Sequence, residues 1–205
     1  MNGFNLKTKI PSAEPGGGHS VFLRLISPFS TACCFMAMLI AFSVGNGLAH
    51  VSSDSMPDSV AEVEYSIYLE FRPNDLQVRN KLGMVYYRLG KLAEADREFS
   101  AILKKDPDNY DALDGLGLVK AARQEYDEAV RLHRRSIQLN PEDMMVYYHL
   151  GTALEKKGMV REAAEAYHTS LAKYNEQYPS GSENKNSAEF AETVKSAIKR
   201  IESKL

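Results

Sequence analysis

Val78, Leu82 and Tyr86 fall on one face of a helix, Gly90 ends it, and a second helix runs from Leu92 to about Lys104. That four-residue spacing of apolar positions is the mark of an amphipathic helix. Asp106-Pro107 and Asn140-Pro141 close successive units, because proline cannot continue a helix and restricts the residue before it. Gly90 and Gly158 stand where a first helix must stop, a left-handed position that glycine takes at least cost. Gln124 stands there in the middle unit, a departure expected to cost about 1 kcal/mol.

The units repeat with a period of 34. Leu82-Gly83, Leu116-Gly117 and Leu150-Gly151 keep that step, as do Pro73, Pro107 and Pro141. So do Ala95, Ala129 and Ala163, the large residues Phe99, His133 and Tyr167, and Leu103, Ile137 and Leu171. A glycine inside a helix costs roughly 1 kcal/mol relative to alanine, so the recurring Leu-Gly pair needs a reason. Gly83 lies twelve residues before Ala95. The expectation is that these two small residues face one another across a helical hairpin, with Tyr86 and Phe99 filling the space beside them. Gly83 is then a packing residue, and Leu82, Ala95, Leu116, Gly117, Ala129, Leu150, Gly151 and Ala163 hold the same role.

The pattern resembles the tetratricopeptide repeat family, whose 34-residue unit carries a large residue, Leu-Gly, an aromatic, Ala, an aromatic, a small residue and Pro. The first unit matches with Leu82, Gly83, Tyr86, Ala95, Phe99 and Pro107. The second matches with Leu113, Leu116, Gly117, Ala129, Ser136 and Pro141, with Lys120 and His133 in place of aromatics. The third matches with Tyr147, Leu150, Gly151, Ala163, Tyr167 and Ser170, with Asn175 in place of proline. Arg79 and Ile102 also depart, standing where a large apolar and a small residue are usual. The resemblance covers about residues 57 to 177 and implies an all-α, right-handed α-solenoid of helical hairpins. Its three repeats are expected at 76–109, 110–143 and 144–177.

The ends differ from the middle. Residues 50–75 hold a linker and a half-repeat: Ala61, Tyr65, Leu69 and Pro73 keep second-helix register without a partner helix. After Tyr178, "PSGSENKNS" reads as a loop. Phe190, Val194, Ala197, Ile201 and Leu205 then form the stripe of a last helix from about Ser187, with Asn186 as N-cap and Glu189 three residues on. Residues 178–205 thus supply the cap that a solenoid needs.

Residues 1–49 are a different material. Lys7, Lys9 and Arg24 precede an apolar run centred on "ACCFMAMLIAFSV", and the next charge is Asp54. Such a run suits a membrane span of about 20 residues or a signal peptide ending at Gly47-Leu48-Ala49. Either places the repeats on the non-cytoplasmic side, exported or membrane-anchored. Cys33 and Cys34 both lie in this run, so the remaining chain has no disulfide, thiolate metal site or cysteine nucleophile. Without Lys7, Lys9, Arg24 and Glu14, the 25 basic and 27 acidic residues become 22 and 26, a formal charge of −4. That is no footprint for nucleic acid.

Little in the chain suggests catalysis. "GLGLVK" begins like a nucleotide loop, but no strand precedes it and Gly117 belongs to the repeat. "PGGGHS" lacks a following Walker lysine. His133 replaces a core aromatic and is expected to be buried and hydrogen-bonded. His149 and His168 lie on different helices of one unit and could approach each other, but no HExxH or Cys/His cluster supports a metal. "RLHRR" has Asp127, Glu128 and Glu142 nearby, which favours a solvated face. The expectation is a non-enzyme without cofactor or metal.

In stacked helical hairpins the first helices line the concave side. The positions left free there are Asn80, Met84 and Tyr87, then Asp111, Asp114 and Leu118, then Met145, Tyr148, Thr152 and Glu155. Tyr87, Met84 and Tyr148 are large apolar surfaces of the kind that anchor partners. Family members that bind chaperones use a Lys, Asn and Arg clamp on this face; the matching places here hold Asn80, Met84, Gly115, Met145 and His149. The clamp is absent, and Asp111, Asp114 and Glu155 favour a neutral or basic protein segment. The expected function is an interaction scaffold or assembly adaptor. The alternative is a structural protein that self-associates through the unpaired half-repeat.

Overall fold

The computed structural model describes residues 56–179 and 185–205. Among these, eight helices follow one another: α1 (Asp58–Phe71), α2 (Leu76–Arg88), α3 (Leu92–Lys105), α4 (Tyr110–Ala122), α5 (Tyr126–Leu139), α6 (Met144–Lys157), α7 (Val160–Gln177) and α8 (Lys185–Glu202). The expected signal or membrane segment in residues 1–49 lies outside the described residues. No described helix is long and apolar enough to cross a membrane. Consecutive helices pack in pairs, and α2, α4 and α6 lie side by side. That is a solenoid of three hairpins with a half-repeat before it and a cap after it.

Local chemistry sets the helix starts. Asp75, Asn109 and Asp143 cap α2, α4 and α6, and their side chains accept from the backbone N–H of Val78, Ala112 and Met145. Such caps contribute about 1 kcal/mol each. They are spaced by 34 and form a register that the apolar pattern does not show. Gly90 and Gly158 adopt φ of 72° and 87°, and Gln124 takes the same turn at φ 64°. The cap helix begins at Lys185, two residues before the expected start. Asn186 is therefore inside the helix and is not its N-cap.

The recurring glycines do pack against the hairpin partner, but the partner is a ring. A Cβ on Gly83 would lie 2.8 Å from the Phe99 ring, on Gly117 2.6 Å from the His133 ring, and on Gly151 2.7 Å from the Tyr167 ring. Phe99 thus fills the space beside Gly83, and its flat ring occupies the gap left by the absent Cβ. Phe99 also covers Gly115 of the following repeat, where a Cβ would meet the same ring. Ala95, Ala129 and Ala163 are fully buried beside the rings, Leu82 and Leu150 are buried, and Leu116 is half-buried.

The buried apolar residues form two clusters. One comprises Ala95, Phe99, Ile102, Ala112 and Val119, with Met84 and Tyr87 packed against it. The other runs from Ala129 and Val130 through Leu154 and Tyr167 to Val194 and Ile201 on the cap helix. Val85, 1% exposed, belongs to the buried face of α2 as well. Sequence spacing had pointed to Val78 and Tyr86, which are only half-buried.

Candidate partner-binding groove

The side formed by α2, α4 and α6 carries all ten predicted groove residues, but they fall into three groups. Asn80, Met84, Tyr87 and Leu118 are half-buried, while Asp111 and Met145 are exposed. Met84 and Tyr87 rest on the Phe99 cluster with part of their surface open. Burial, with the Asp114 charge, pushes the Tyr87 hydroxyl up. Burial also raises the Asp111 carboxyl, helped by the charges of Asp143 and Asp114. This part of the groove is apolar, with an acidic edge.

Asp114 is engaged within the chain. Its Oδ1 accepts from His133 Nδ1 at 2.8 Å and its Oδ2 from His149 Nδ1 at 2.9 Å. Burial opposes its charge most, yet the His149 charge and the two imidazole hydrogen bonds outweigh it and hold the carboxyl well below the usual range. His133 is thus buried and hydrogen-bonded, as its place in an aromatic register implied. His149 and His168 do not pair: His168 meets Glu202 at 3.2 Å.

The third group faces the cap helix. Tyr148 has its ring 5.8 Å from Phe190 and 5.7 Å from Tyr167. Thr152 donates to its own helix at the Tyr148 carbonyl and accepts from Tyr167. Glu155 accepts from the Tyr167 hydroxyl at 2.9 Å, from Arg200 at 2.9 and 3.1 Å, and from Lys204 at 2.7 Å. The Arg200 hydrogen bonds lower its carboxyl to about 2 against the opposing effect of burial, with help from Lys204 and Tyr167. Burial, assisted by Glu155, pushes the Tyr167 hydroxyl up to about 12. Open groove chemistry therefore concentrates on α2, α4 and the start of α6.

Sequence reasoning missed the His133–Asp114–His149 cluster. The available signal was His149 itself, which occupies the register of Lys81 and Gly115, where the second-helix ring of the preceding repeat abuts. Among the described residues no group of three His, Cys, Asp or Glu is arranged to hold a metal ion. The arginines of "RLHRR" each meet an acid: Arg131 with Glu128, Arg134 with Glu162 and Arg135 with Asp108. The depression that they line with Leu113, Val130 and Lys157, of about 560 Å³, is bordered mainly by α5.

The chain is similar to the Photosystem I assembly protein Ycf3 of Acaryochloris marina, at 27% identity over 55% of this chain and 74% of that one. It is also similar to the BBSome complex member bbs-4 of Caenorhabditis elegans, at 25% identity over 56% of this chain, which spans only 24% of that protein. Among solved structures, the Yersinia enterocolitica type III secretion chaperone SycD in complex with a peptide of the translocator YopD aligns with a TM-score of 0.54. Identity there is 21%, with 63% of this chain and 93% of SycD covered; that likeness shows the fold. The model of the tetratricopeptide repeat matches residues 80–143 and 115–181. With its period, its ring-on-glycine packing and this match, the chain belongs to the tetratricopeptide repeat family.

Proposed function

We propose that this protein is a non-enzymatic scaffold that holds a segment of a partner protein along α2, α4 and the start of α6. The observation that carries the reading is the open surface of Tyr87, Met84 and Leu118, continued by Met145, which is 40% exposed. Methionine adapts to a partner's shape and tyrosine supplies a rigid anchor. Asp111 and Asp143 at the edge favour a neutral or basic segment over an acidic one. The peptide-bound relative described above supports a groove of this kind. The apolar segment in residues 1–49 exports the repeats or anchors them in a membrane, and sequencing of the mature N-terminus distinguishes the two.

Affinity capture from native extract tests the scaffold, with the Tyr87→Ala/Met145→Ala double variant beside the wild type. Both proteins must first show equal helicity and melting. A partner retained only by the wild type supports the groove; identical captures by both sink it. Basic and acidic peptides on an array then test the charge preference, which fails if acidic ones bind more tightly.

A specific observation favours self-association as the second reading. Val60, Val63, Ile67 and Phe71 on α1 are 51%, 57%, 38% and 76% exposed. The same register in the complete repeats reads Glu94, Arg97, Ala101 and Lys105, then Glu128, Arg131, Arg135 and Leu139, then Glu162, Glu165, Thr169 and Lys173. An apolar stripe where complete repeats carry mainly polar residues suits burial against a second copy. Sedimentation that rises with concentration, and no longer does so in Val63→Glu/Phe71→Glu, is the expected outcome.

A further inference from the structure

The two apolar clusters meet at a polar joint. Asp114 on α4 joins His133 on α5 to His149 on α6, with the ring centroids of the two histidines 5.9 Å apart. The His133 side chain is fully buried, Asp114 is 15% exposed and His149 16%. An ionised carboxylate can only accept, so both Nδ1 atoms carry a proton. His133 has no outlet at its other end, where Nε2 is buried without a partner. His149 is the ring that reaches solvent, and it gains or loses the second proton.

We propose that this cluster is a proton-controlled joint between the second and third repeats. With His149 protonated, a cation and an anion close the gap between α4 and α6. Once that proton leaves, Asp114 keeps its charge without a counter-cation, the joint loosens, and the carboxylate adds to Asp111 and Asp143 at the groove edge. The joint thus regulates the groove assigned under Proposed function; its own test needs no partner and stands or falls separately.

The surroundings of His149 agree in sign. Asp114 faces it from α4, with Asp111 on the same helix, while Asp143 acts from the start of α6. From α5 comes His133, and from α2 comes Tyr87, beside Asp114. On the cap helix, Arg200 and Lys204 are engaged by Glu155. Burial disfavours the His149 cation most, but the Asp114 charge and hydrogen bond, with Asp143, outweigh it and raise the ring above its ordinary 6.5. The stability this contributes is complete below 6.5 and is lost as pH rises through the raised value.

The test is a histidine Cε1–H NMR titration of the full-length chain from about pH 5 to about pH 9, with urea unfolding over the same range. The His149 ring, assigned through its own backbone resonances, is expected to inflect above 6.5, and the urea midpoint to fall through that inflection. His149→Gln should remove the inflection and flatten the fall. His168→Gln, altering an exposed ring on Glu202, should leave both. The joint is overturned if the His149 ring inflects at or below 6.5, or if His149→Gln retains the fall. Should His149→Gln not fold, the wild-type titration with the His168→Gln control decides alone.

Discussion

Gly83 lies under the Phe99 ring, so close that a Cβ there would come within 2.8 Å of two ring carbons. Alanine would help the helix by about 1 kcal/mol, while overpacking a tight core costs about 1–3 kcal/mol. Gly83→Ala is therefore expected to lower stability, because Phe99 is also crowded by Gly115 and has little room to shift. An unchanged or raised urea midpoint would show that the ring yields.

The middle hairpin turns through Gln124 at φ 64°, where the first and third turn through glycine. A side chain in the left-handed region costs about 1–2 kcal/mol, offset in part by the greater chain entropy that glycine loses on folding. Gln124→Gly should raise the melting temperature by a few degrees, roughly the shift expected of 1 kcal/mol in a domain of this size. Gly90→Gln should do the reverse. Differential scanning calorimetry reads both.

Two buried serines tie the second and third repeats each to itself. Ser136 Oγ donates to the Tyr110 carbonyl at 2.8 Å, and Ser170 Oγ to the Met144 carbonyl at 2.7 Å. Each alanine replacement removes one buried hydrogen bond and is expected to cost about 1 kcal/mol. In chemical denaturation the double variant should lose close to the sum, since the two bonds have no common partner.

Glu155 fastens the cap helix through Arg200 and Lys204, and its carboxyl is lowered to about 2 from an ordinary 4.5. A lowered carboxyl contributes stability that is complete above the unfolded value and is lost as pH falls through the folded one. The cap should therefore loosen between about pH 4.5 and pH 2. Amide exchange in α8, corrected for intrinsic rates, should rise in that window. Glu155→Gln should show the raised exchange already at neutral pH.

The hairpins, their glycine turns and the buried alanines were legible because backbone geometry imposes them at every repeat. Which atoms touch was less legible. Gly83 reads as a packing residue with Phe99 beside it; that the ring comes nearest of all to the glycine is what residue size alone does not reveal. Tyr148 and Glu155 read as free because their partners, Phe190 and Arg200, lie more than forty residues downstream on a helix outside the repeat. Asp114 reads as a groove acid for the same reason: its two histidines belong to other helices. Ile102 departs from the small-residue pattern but is fully buried; the serine bonds of the later repeats have no counterpart there.

The two repeat-to-repeat junctions are not copies of one another. At the first, Phe99 meets Gly115; at the second, His133 meets His149. A unit moved by one place would bring the phenyl ring onto His149, or the His133 imidazole onto Gly115 with its own Asp114 but without His149. Each unit thus carries an address as well as a fold. Shuffling the three 34-residue modules, or duplicating one of them, would keep the helices and lose the match at the new junction.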